Sequence, residues 1–159
     1  MPRQSATPSS RQRELDLAVQ HHAAGRLPEA ERIYRRIVQV DPGQPVALHL
    51  LGVVAHQMGN SENSIELILK ALAIKPDYAD AHSNLAIVFK DKGRLNEAAA
   101  SHRAALAISP QSADMHNNLG LAFHGQGRLD EAAVRYRAAL AITPGHAEAD
   151  SNLGAALQD

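Results

Sequence analysis

The chain has 159 residues, enough for one domain or a short repeat array but not for two sizeable domains with separate cores. It is 45% hydrophobic and 21% charged, but only 3% aromatic with no tryptophan, so its core must be built from Ala, Leu, Ile and Val. Sixteen basic residues against seventeen acidic ones argue against nucleic acid or membrane as partner, and the absence of cysteine excludes disulfides, thiol nucleophiles and cysteine metal sites. Residues 1–10 are polar and read as a disordered tail without a signal-peptide core, and no apolar run reaches membrane-spanning length. The expected compartment is the cytoplasm.

From residue 11 onward the chain repeats itself. Prolines 42, 76, 110 and 144 are spaced by 34 residues, and glycines 25, 59, 93 and 127 keep the same period. Residues 78–111 match 112–145 at 19 of 34 positions without a gap. Each unit reads as two helices. Helices are expected at 11–24 and 28–41, where Pro28 suits a first helical turn because no N–H is needed there. The next pairs fall at 45–58 with 62–75 and at 79–92 with 96–109. In the third unit Ala81, Leu85, Ala86, Val88 and Phe89 recur at helical spacing before Gly93 stops the first helix. Glu97 opens the second helix, where the helix dipole favours an acid, and Pro110 closes it. The fourth pair is 113–126 with 130–143, and a last helix is expected at 147–158. Units this rich in alanine cannot bury their apolar faces alone, so neighbours must stack.

With each proline set at position 32 of its unit, the pattern resembles the tetratricopeptide repeat family. That family has a leucine and then a small residue at positions 7 and 8, here Leu17–Ala18, Leu51–Gly52, Leu85–Ala86, Leu119–Gly120 and Leu153–Gly154. It has a small residue at 20 and an aromatic at 24, as in Ala30 with Tyr34 and Ala132 with Tyr136. The third unit carries His102 at position 24, and the second departs furthest, with Ser64 and Ile68. The resemblance implies an all-α solenoid of antiparallel helix pairs wound into a right-handed superhelix. Four repeats span 11–44, 45–78, 79–112 and 113–146, and 147–159 forms the first helix of an incomplete fifth repeat or a cap.

Nine histidines invite a metal reading. His22, His56 and His124 share position 12 of their units, but packed helices lie about 10 Å apart, too far for one ion with bonds near 2.0–2.1 Å. His21 and His22 point about 100° apart on a helix. No H-E-x-x-H, P-loop or dinucleotide fingerprint occurs, and the carboxylates recur with the repeat instead of forming a dyad. No catalytic residue, metal site or cofactor is expected, and the chain reads as a non-enzyme.

The better functional signal is a ladder of asparagines. Asn84, Asn118 and Asn152 hold position 6 of successive first helices, on the face that lines the groove of a tetratricopeptide superhelix. An amide donates and accepts together, so a row of them can hold a peptide backbone whatever its side chains. The bland reading is that each asparagine holds helix packing. Asn117, Lys90, His56, His124 and Leu121 complete the expected peptide-binding groove.

The asparagine ladder with Gly-Arg-Leu-x-Glu-Ala (25–30, 93–98 and 127–132) resembles the repeat region of protein O-linked N-acetylglucosamine transferases, where such a ladder holds the acceptor polypeptide. The expected function is therefore a scaffold binding a protein or extended peptide. Two alternatives are the recognition part of a larger glycosyltransferase whose catalytic domain is absent here, and a self-assembly module joined through helix 147–158. Chaperone-tail binding is disfavoured, because the positions that need Lys and Asn carry Leu15 and Val19 in one unit and His49 and Val53 in the next.

Overall fold

The structure, a computed structural model, describes residues 8–158, which form nine α-helices and no strand. They divide between Pro76 and Asp77 into two compact units. The first contains α1 (Pro8–Ala23), α2 (Leu27–Val40), α3 (Pro45–Gln57) and α4 (Ser61–Ile74). The second contains α5 (Ala79–Asp91), α6 (Leu95–Ile108), α7 (Ala113–Gly125), α8 (Leu129–Ile142) and α9 (Ala147–Ala156). Most ends lie within a residue of the expected ones. The exceptions are α1, which begins at Pro8 inside the expected tail, and α9, which stops at Ala156. Residues 1–7 of that tail lie outside the described residues.

Within each unit, connections of three or four residues fold each helix back on the one before it. In the first unit α1 packs on α2, α2 on α3 and α3 on α4. In the second, consecutive helices from α5 to α9 pack in the same way, and α7 also touches α9. Each unit has its own apolar cluster, one around Tyr34, Ile37, Leu51 and Val54, the other around Leu119, Phe123 and Tyr136. Burial is completed pair by pair, so a core accumulates wherever two pairs stack.

The position-24 side chains Tyr34, Ile68, His102 and Tyr136 are all fully buried, as are the small residues Ala30, Ser64, Ala98 and Ala132 at position 20. Small residues at position 8 make room for them. A Cβ built on Gly120 would lie 2.5 Å from Tyr136 Cε1, and one on Gly52 would lie 2.7 Å from Ile68 Cγ1. Gly52 thus accommodates the departure of the second repeat. On α9, Gly154 stands at the same position with nothing within 4 Å of an added Cβ. Burial pushes the Tyr34 and Tyr136 hydroxyls up to about 12, and neither has a hydrogen-bond partner among the described residues.

In the third and fourth repeats the Gly-Arg-Leu-x-Glu-Ala stretch builds a clasp at the turn between paired helices, whereas Arg26, in the same motif of the first repeat, donates from Nε to His21 Nδ1. Gly93 and Gly127 take φ of +72°, which only glycine adopts without strain. The next residue, Arg94 or Arg128, lays its guanidinium 4.5 or 4.4 Å from the centroid of Phe89 or Phe123. The same arginine forks onto the glutamate three residues on, with Nε–O distances of 2.6 Å to both Glu97 and Glu131. These hydrogen bonds hold both carboxyls below the usual carboxylate range. The expected dipole role of Glu97 is therefore joined by an arginine contact that closes the turn.

Candidate functional site

The three asparagines lie in the second unit on its α5, α7 and α9 helices, and all are half-buried. Asn152 Nδ2 donates to Asn117 Oδ1 at 3.0 Å, tying α9 to α7. Asn117 itself is only 1% exposed, so it serves this inter-helix bond and does not line open surface. Asn84 is engaged within the fold. Asn118 has no hydrogen-bond partner among the described residues. Two of the three ladder amides are thus engaged within the fold.

Beside Asn152 a cleft of about 460 Å³ opens between α7 and α9, lined by Leu121, Ala147, Glu148, Ser151 and Asn152. Leu121 comes from α7, one turn after Asn118, so the open amide and the apolar side chain share one flank. Glu148 and Ser151 were not among the expected groove residues. A signal for Glu148 existed, since it precedes Asn152 by four residues and must share its face.

The remaining expected neighbours are more scattered. Lys90 is exposed at the end of α5, with its Nζ 3.9 Å from Asp91 Oδ1. His124 is half-buried in the last turn of α7 and already engaged. His56 belongs to the first unit, where its Nδ1 lies 3.1 Å from Ser61 Oγ on α4. His22 Nε2 donates to Gln57 Oε1 at 2.9 Å, and His21 Nδ1 accepts from Arg26 Nε at 2.8 Å. Among the described residues no group of three or more histidines and acids could hold a metal ion. None of their helices is long and apolar enough to cross a membrane.

Two further histidines act in the structure of the unit. His146 caps α9, its Nδ1 accepting from the Ala149 amide at 3.2 Å, which leaves Nε2–H to donate to Asp114 Oδ1 at 2.9 Å. His102 is buried in the aromatic slot of the α5–α6 pair. Desolvation, with a smaller contribution from the Lys90 charge, lowers it to about 4, so the ring is neutral near pH 7.

Profiles of the TPR repeat match residues 54–93 and 88–127, and profiles of the tetratricopeptide repeat match 14–36 and 113–143. The UDP-N-acetylglucosamine–peptide N-acetylglucosaminyltransferase of Caenorhabditis elegans is 34% identical over 83 residues. That match covers 52% of this chain but only 7% of the length of the enzyme. Among solved structures, MamA superposes with a TM-score of 0.82 at 24% identity, over 89% of this chain and 82% of that one. The pilF protein of Pseudomonas aeruginosa gives 0.87 at 20% identity, over 93% and 68%. YrrB, described as a TPR protein with an unusual peptide-binding site, gives 0.77 at 21% identity, over 91% and 75%. At these identities the likeness to solved structures establishes the fold alone.

Proposed function

The chain belongs to the tetratricopeptide repeat family, and on that premise we propose that it is a non-enzymatic module that grips an extended polypeptide along the α5–α7–α9 face of its second unit. The observation that carries this reading is the Asn118 amide, half-buried, without a partner among the described residues, and one helical turn before Leu121 of the cleft. One amide side chain can accept from a peptide N–H and donate to a C=O, which reads backbone and ignores sequence. Packed helices are about 10 Å apart, and three residues of polyproline II span about 9 Å, so neighbouring positions of the ladder fall on every third residue of such a ligand. Leu121 supplies apolar contact, while Glu148 and Ser151 offer acceptors at the rim.

The test is affinity capture of a partner with the wild-type chain, followed by binding measurements on the captured polypeptide. Asn118→Ala should weaken binding by about 0.5–1.5 kcal/mol, the net worth of a hydrogen bond, with little change in melting temperature. Lower stability together with unchanged affinity of the folded fraction would make Asn118 a packing residue and end this reading.

A second reading is favoured by the 34% identity to the C. elegans transferase. In it, this array selects acceptors for a protein glycosyltransferase. A reading frame that continues past Asp159 into a catalytic domain would support it, and one that stops there would leave the independent binding module.

A further inference from the structure

A different surface, on the first unit, gathers hydrogen-bond donors around apolar side chains. A cleft of about 590 Å³ lies between α1 and α2, within the range of ligand-binding pockets. Leu17 and His21 enter it from α1, and Arg32, Arg35 and Arg36 enter it from α2 over Ile33. Among the described residues no carboxylate lines it.

The charges there are incompletely neutralised. Arg35 binds Glu31 through Nε and Nη2, at 3.0 and 2.7 Å, leaving Nη1 for another acceptor. Arg36 reaches Glu14 at 3.3 Å with a side chain 57% exposed. Arg32 has no ion pair or hydrogen bond among the described residues. In neutral His21 the accepting role of Nδ1 toward Arg26 puts the proton on Nε2, which is then one more donor. The apolar component is equally distinct. Leu17 is 45% exposed, whereas Leu51 and Leu119, at the same repeat position, are 3% and 0% exposed.

We propose that this cleft is a second binding site, separate from the asparagine face, for an acidic segment of a partner polypeptide. Carboxylates of the segment engage Arg32, Arg36 and the His21 Nε2–H, and an apolar side chain of the segment covers Leu17 and Ile33. Guanidinium forks suit carboxylates, and charge-assisted bonds of this kind are the strong ones. Charge balance agrees, because residues 1–76 carry nine Lys and Arg against seven Asp and Glu, whereas residues 77–159 carry seven against ten. A nucleic acid fits less well, since among the described residues no Phe, Tyr or Trp lines the cleft to stack on a base.

The experiment uses the full chain at low ionic strength and a short labelled peptide in which leucines alternate with glutamates, read by fluorescence anisotropy. The peptide should bind more tightly than its counterpart with glutamine for glutamate, because only the acidic peptide can engage the arginines of this cleft. Arg32→Gln with Arg36→Gln should weaken binding ~tenfold or more, the least expected from losing one charge-assisted bond. Arg32→Gln alone, which breaks no contact in the fold, should show part of that loss. Leu17→Asn should weaken it as well, and both losses should persist in an Asn118→Ala background, which separates this site from the groove. The proposal is overturned if the double variant or the glutamine peptide binds as well as the original pair. It is equally overturned if an oligothymidylate binds more tightly than the peptide, or if the arginines prove to join two copies of the chain and exclude it.

Discussion

His102 offers a quantitative test of how the third repeat is packed. The ring fills the slot that Tyr34 and Tyr136 occupy elsewhere, is 1% exposed, and has an Nδ1 without a partner. Its pKa in the folded chain is about 4 against 6.5 when solvated. The unfolded chain therefore takes up the proton first, so the stability held by the neutral buried ring is intact above pH 7. It is lost as the pH falls from 6.5 toward 4. A depression of this size amounts to about 3 kcal/mol in full, of which about 2 kcal/mol is gone by pH 5. His102→Leu keeps an apolar side chain of similar bulk and removes the titration. Urea unfolding followed by circular dichroism should then show the wild-type chain losing about 2 kcal/mol more than the variant between pH 7 and pH 5. Amide exchange in α6 should accelerate over the same range, because repeats can open locally. Parallel stability curves for the two chains would refute the account of a neutral ring held in a desolvated slot.

Other substitutions probe the packing rule and the last helix. Gly120→Ala drives a Cβ into Tyr136 and should cost about 1–3 kcal/mol, whereas Gly154→Ala meets open space and should raise stability by up to about 1 kcal/mol; thermal melts of the pair check this. Ser64→Ala and Tyr136→Phe each delete a buried hydroxyl with no partner, and both should be neutral or stabilising by about 1 kcal/mol in urea titrations. If the open face of α9 joins copies of the chain, Leu157→Glu should lower the mass seen by light scattering at roughly 100 μM, a concentration at which even micromolar contacts form. Leu157 is the residue for that test because it is 62% exposed, while Leu153 packs on the Leu119–Tyr136 cluster and its loss would damage the fold.

Secondary structure and repeat period were legible in the residues themselves, because both are set by local rules. Helix-period apolar spacing, glycine at the turns and proline after the second helix placed each helix to within a few residues, and a 34-residue period of these signals required stacking. The partition into two units was not legible, since it depends on how pairs pack and not on any single segment. The same holds for the partners of side chains. Asn117 and Asn118 are adjacent and chemically identical, yet one is buried under the Asn152 amide and the other has no partner, because on a helix they point about 100° apart toward different neighbours. Arg26 and Arg94 likewise hold the same place in Gly-Arg-Leu-x-Glu-Ala, and only the fold gives Arg94 a phenylalanine and a glutamate while Arg26 turns to His21. Periodicity decides which face a residue occupies, but only the packed neighbours decide whether its polar atoms are already satisfied or remain available to a ligand.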